Sequence, residues 1–119
     1  MTAPAPSVLL DLAELPRAVL DIANERFRQI EDEGWTLEHD DEHDKGEMAH
    51  AAGCYALANH HRLLWVGGNE FPDMWPWHKR WWKSNDRRGD LVKAGALIVA
   101  EIERLDRLRA RSTDTVQGE

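Results

Sequence analysis

Residues 39–58 read HDDEHDKGEMAHAAGCYALA. Charge fills the first half and small apolar residues fill the second, with the change at Lys45-Gly46. The second half suits a helix lying close against another, since its alanines keep the two backbones near one another while Met48, Tyr55 and Leu57 supply bulk for burial. The spacing predicts a helix over residues 44–64, stopped by Gly67-Gly68. Asp44 and Glu47 stand three apart, which on a helix puts both carboxylates on one face. Two readings follow. The pair is a hard-cation site of the kind Mg²⁺ takes, or it is a capped helix start, with Asp44 as N-cap and Glu47 at N3.

Outward from this stretch the chain stays helical. Pro16 fits a first turn, and Val19, Leu20, Ile22, Ala23, Phe27 and Ile30 follow the helical period over residues 16–33, ended by Gly34. Residues 66–85 form a tryptophan-rich connection with Pro72 and Pro76. A third helix starts near Ser84 to Asp86 and runs to about residue 109, with an apolar stripe through Leu91, Ala94, Leu97, Ile98, Ile102 and Leu105. No strand-like alternation appears. The expected fold is all-α, one domain over residues 1–119: a helical bundle of three long helices with a Trp-rich connecting loop, loosely ordered at 1–15 and 112–119. Ile22, Phe27, Ala51, Tyr55, Leu97 and Ile98 are expected to be buried, and the excess of apolar and tryptophan surface points to a homo-oligomer.

Composition narrows the function classes. The formal charge is −7 over 119 residues, which argues against general nucleic-acid or anionic-membrane binding, where a basic face releases counterions. The apolar run at residues 94–100 is too short to span a bilayer. The run at residues 8–12 is broken by Asp11 and has no basic flank, so no targeting segment is expected. Cys54 is the single cysteine and sits among Ala and Tyr, as a small buried apolar residue would. A cytoplasmic location fits.

The polar residues with chemistry are spread one set per helix: Glu25 with Gln29, then Asp44 with Glu47, then Asp90 with Lys93. Charges on helices usually form a solvated face, but bundle-core sites are built from such convergent sets. His39 and His43 are four apart, as in zinc-protease helices. Their acidic flanks and the lack of a third ligand argue for a solvated loop. The segment WPWHKRWWK at 75–83, followed by Arg87 and Arg88, interleaves aromatics with cations. That pattern stacks bases and holds phosphates, or it plugs a small core.

Residues 25–29 (ERFRQ), 38–41 (EHDD), 46–52 (GEMAHAA), 75–77 (WPW), 90–98 (DLVKAGALI) and 100–106 (AEIERLD) resemble a family of small phage and prophage proteins, over about residues 24–107. That group is distantly similar to the all-α nucleoside triphosphate pyrophosphohydrolases of the MazG type. There E-x-x-E on one helix and E-x-x-D on a later one hold Mg²⁺ while water attacks the α-phosphorus. Residues 44–47 (DKGE) match the first motif with Asp for Glu, and residues 90–93 (DLVK) occupy the second with Lys93 where the family has a metal-binding Asp. The resemblance implies Mg²⁺ or Mn²⁺ held by Asp44, Glu47 and Asp90, with Glu25 and Glu47 as catalytic residues. It implies substrate phosphates on Lys83, Arg87 and Lys93, a base stacked on Trp82, and a dimer or tetramer in the cytoplasm of a bacterial host. The alternative is a non-catalytic nucleotide- or partner-binding protein of the same fold, its metal site disabled by Lys93. A single-stranded nucleic-acid binder is the third class, disfavoured by the charge.

Overall fold

The structure, a computed structural model, describes residues 14–58 and 74–117, with side chains as far as residue 113. Four α-helices form it: α1 Arg17–Glu31, α2 Leu37–Asp41, α3 Glu47–Leu57 and α4 Arg87–Gln117, with a 3₁₀ turn at Lys79–Trp81. Among the described residues there is no strand. The all-α expectation holds. The expectations for residues 1–13 and for the segment 59–73 lie outside the described residues.

The expected 16–33 helix is present as α1, which follows Pro16 and gives way to Gly34 at φ 75°. The helix predicted from Asp44 begins instead at Glu47, because Gly46 adopts φ 81° as its N-cap. Asp44 and Glu47 therefore do not share a helix face. The third helix runs longer than expected, through the 112–117 stretch read as frayed. The acidic run is not a loop. Thr36 accepts the His39 N–H and starts α2, which carries Glu38, Asp40 and Asp41.

Three arginines explain why so acidic a helix packs. Asp40 is 1% exposed and accepts from Arg26 of α1 at 2.7 Å, while Arg26 also reaches Glu103 of α4 at 2.9 Å. Asp41 accepts from Arg107 at 2.8 Å and Arg111 at 3.1 Å, both on α4. Those guanidiniums hold the Asp41 carboxyl below the usual carboxylate range.

The core lies between α3 and α4. Met48, Ala51, Ala52, Cys54 and Tyr55 bury against Ala94, Leu97 and Ala100, with Trp75 closing one end. The small side chains let the two helices lie close. The two run antiparallel: the Arg87 guanidinium at the start of α4 donates to the carbonyls of Ala56 and Ala58 at the end of α3. Helix α1 crosses α4 at Gly95, where an added Cβ would stand 2.8 Å from Ile22 Cδ1. Burial of Cys54 pushes its thiol up to about 11, as fits a packed residue and not a nucleophile.

Two of the six expected core residues are on the surface instead. Phe27 is 61% exposed and Ile98 is 48% exposed. Ile98 belongs to a stripe on α4 with Leu91, Ile102 and Leu105, all exposed, at spacings of seven, four and three. Among the described residues no helix is long and apolar enough to cross a membrane.

Candidate nucleotide site

Asp90 is 0% exposed at the first turn of α4. Ser84 Oγ–H donates to its Oδ2 at 2.7 Å and the Asn85 N–H to its Oδ1 at 2.8 Å. The buried carboxylate thus ties down the turn that enters α4. Asp86 caps the same helix, accepting the Gly89 N–H at 2.8 Å. Gly89 has a second duty: a Cβ there would sit 2.4 Å from Asn85 Oδ1. The missing side chain lets Asn85 fold over the first turn and present that oxygen to Lys93, whose ammonium donates to it at 3.0 Å. Lys93 also donates to the Lys83 carbonyl at 2.8 Å.

Lys93 lines a cleft of about 330 Å³ between α1 and the start of α4, with Asp21, Glu25, Arg28, Asn85 and Arg88. Three cations face two carboxylates there, so the cleft is net positive on a chain of net charge −7. Arg28 holds Glu25 with two bonds of 2.8 Å, and Arg88 pairs with Asp21 at 2.9 Å. Lys83 pairs with Glu33 at 3.1 Å. Burial alone would raise the Glu33 carboxyl, but the bonds from Lys83 and Arg28 outweigh it and hold the group lowered. The Tyr55 hydroxyl accepts the Lys83 N–H at 3.0 Å, and Tyr55 borders the narrow space that Lys83 and Lys93 also line. Burial, with the nearby charges of Asp90, Glu25 and Glu33, pushes that hydroxyl up to about 12, so it stays neutral.

Of the expected site residues, the structure brings Glu25, Lys83, Asp90 and Lys93 to this end of the bundle. Asp44 and Glu47 lie at the other end of α3, an 11-residue helix about 16 Å long at the standard rise. The antiparallel pairing of α3 and α4 is the physical reason, because each motif sits at its own helix's N-terminus. Asp44 is exposed. Glu47 folds back on its own turn, accepting the Lys45 N–H at 2.7 Å and standing 3.4 Å from His43 Nδ1. Among the described residues no group of three or more His, Cys, Asp or Glu is placed to hold a metal ion. Asp44 and Glu47 thus stand at the opposite end of the α3–α4 pair from Asp90.

Two further assignments shift. Arg87, expected on phosphate, closes the last carbonyls of α3. Trp82, expected to stack a base, already stacks on Tyr55 at 4.5 Å between centroids and meets Trp75 edge-on at 5.0 Å. Its neighbour Trp81 borders open space, with Arg80 at 5.2 Å and Lys83 at 5.8 Å from its ring. Sequence reasoning gave no site role to Arg28 or Asn85, and took Arg88 and Trp81 only as part of the cation-rich aromatic stretch. The cation-rich aromatic segment pointed to the last of these, and nothing local marked Asn85. Comparison with protein-family models, curated proteins and solved structures finds no match to this chain.

Proposed function

We propose that this chain binds a nucleoside phosphate in the cleft between α1 and the start of α4, as a non-catalytic relative in shape of the MazG-type hydrolases. One observation carries this reading: the Lys93 ammonium stands in a net-positive cleft and donates there to two neutral oxygens, those of Lys83 and Asn85. A phosphate oxygen in their place adds a full negative charge to a bond that the ammonium alone assists now. Arg88 in the cleft adds attraction, as does Lys83, which shares with Lys93 the narrow space beside it. Lys93 in the second carboxylate motif thus acts as a phosphate donor in place of a metal ligand.

Mg²⁺-dependent hydrolysis to a monophosphate and pyrophosphate is the second reading. It is favoured by Glu25, which lines the same cleft as Lys93. The two separate cleanly. Each nucleoside triphosphate is incubated with the protein and Mg²⁺ or Mn²⁺, while pyrophosphate release and the melting temperature are followed. A rise in melting temperature without pyrophosphate supports the binding protein. Pyrophosphate release supports the hydrolase, and neither response removes nucleotides from the account.

A second copy of the chain is the proposed cover for the exposed α4 stripe of Leu91, Ile98, Ile102 and Leu105. Light scattering at micromolar concentration checks this against the 13.7 kDa of one chain. A nucleotide ligand fits a cytoplasmic setting.

A further inference from the structure

Beside the cleft lies a second cavity of about 400 Å³ walled by Trp35, Trp77 and Trp81 and rimmed by His39, His43 and His78. It is larger than the cleft and of the size that holds small organic ligands. Its wall is built from three separate parts of the chain: the turn after α1, helix α2 and the 3₁₀ turn. The rings brace one another at its edge. Trp35 lies edge-on to Trp77 at 5.8 Å, and His43 lies 5.2 Å from Trp77 and 4.7 Å from His39.

The two cavities share neighbours. A narrow space between them, with room for roughly one water at about 10 Å³, borders Glu33, Trp35 and Trp81 of the aromatic cavity and Glu25, Arg28 and Lys93 of the cleft. Unsatisfied polar atoms gather here. Four buried side-chain polar atoms among the described residues have no hydrogen-bond partner, and three belong to this region: Trp77 Nε1, His39 Nδ1 and Gln29 Oε1. Gln29 is 2% exposed and lines the narrow space. Its amide N–H₂ faces Glu25 at 3.3 Å, which fixes the oxygen as the orphan. An unsatisfied buried group costs about 1–3 kcal/mol, so the walls here do not satisfy their own polar atoms in full.

We propose that the aromatic cavity is a nucleobase site, occupied while the phosphates of the same ligand lie in the Lys93 cleft. Flat heterocycles match indole walls by stacking, and a base edge carries both donors and acceptors for histidines and for groups of either polarity. Trp81 is the hinge of the arrangement, because its ring borders both the base cavity and the narrow space beside Lys93. The ring is positioned by its own turn: the Arg80 N–H donates to His78 Nδ1 at 3.1 Å, and the Trp81 carbonyl accepts from Tyr55 at 3.5 Å.

This inference rests on the nucleotide reading above, and calorimetry separates the failure of one from the failure of the other. The four common nucleosides, which carry no phosphate, and inorganic tripolyphosphate, which carries no base, are titrated separately into the full chain. At least one nucleoside is expected to bind. Trp35→Leu and Trp81→Leu should weaken it by about tenfold or more, the size of one lost stacking partner, and Trp35→Leu should leave tripolyphosphate unchanged. Trp77→Phe keeps the ring and removes the N–H, so it serves where a leucine variant fails to fold. It should weaken the nucleoside and shift the preference among the four. Tripolyphosphate bound in a Lys93-dependent way, with no nucleoside bound, overturns the base site and leaves the phosphate reading standing. Nucleoside affinity unchanged in all three tryptophan variants overturns the base site as well. Nucleoside bound without tripolyphosphate overturns the phosphate reading alone.

Discussion

Tyr55, Trp75 and Trp82 pack ring on ring at 4.5–5.4 Å against the α3–α4 core, whereas Trp35, Trp77 and Trp81 stand around a cavity of about 400 Å³. The inner three spend their faces on each other. Even their polar atoms are used: the Trp75 Nε1–H reaches the His78 carbonyl at 3.1 Å, and the Tyr55 hydroxyl bridges Trp81 and Lys83. The outer group leaves Trp77 Nε1 without a partner. Four tryptophans within seven positions of each other thus divide into Trp75 and Trp82, which hold the fold, and Trp77 and Trp81, which border open space. The division teaches where to look for function, because a saturated contact has nothing left to offer a ligand.

The largest expected effect comes from breaking the inner set. Trp75→Ala should cost about 3–5 kcal/mol of folding free energy, as for a buried aromatic, read as a lowered denaturant midpoint. Trp77→Ala should cost clearly less. Equal costs would mean that the outer ring is also core and would undo the contrast.

The outer wall depends on α2, which carries His39, is followed by His43 and is held by Arg26 on the buried Asp40. Asp40→Ala leaves that buried guanidinium with the half-exposed Glu103 as its one remaining charge partner and should cost up to about 3–5 kcal/mol. Proton NMR should show the His39, His43 and Trp35 ring signals lost or shifted more than those of Tyr55 and Trp82. Uniform loss would mean that α2 is part of one core with α3 and α4.

A smaller effect is expected at the α1–α4 crossing. Gly95→Ala drives a methyl against Ile22, at about 1–3 kcal/mol for overpacking, offset by up to about 1 kcal/mol of helix propensity. A net gain in melting temperature would show that Ile22 swings aside freely.

The smallest effect is a pH dependence. Asp41 has its carboxyl lowered by Arg107 and Arg111. A carboxylate lowered by folding contributes stability that is complete above its unfolded value, about 3.9, and is lost as pH falls through the folded value. Melting temperature should therefore fall in acid below about pH 4, and Arg107→Gln should flatten that acid limb. An unaltered limb would assign the acid sensitivity to other carboxylates.

Much of the fold was legible because helical periods and breakers are local. Gly34 and the caps before Arg87 were readable in place. Helix α2 was not, because its charge is met by Arg26, Arg107 and Arg111, which lie 14 to 70 residues away. The apolar stripe read on α4 is wider than the face that meets α3, and so Ile98 was assigned to the core and lies outside it. The site was legible in part. Glu25, Lys83, Asp90 and Lys93 meet as their helical placement suggested, while Asp44 and Glu47 are carried away by the antiparallel run of α3. Trp81 and Trp82 are adjacent in sequence and point to different neighbours, a distinction that only the packed turn makes.

The phosphate cleft is the central claim, and titration of a nucleoside triphosphate into wild type and Lys93→Ala, at fixed salt and without added metal, tests it most directly. Lys93 is partly exposed and bonded to neutral oxygens, so its loss should leave the melting temperature nearly unchanged. The account predicts saturable binding to wild type, weakened by about tenfold or more in the variant, as for a charge-assisted contact worth about 1.5–3 kcal/mol. Equal affinities in the two proteins, or no binding to wild type at all, would contradict it.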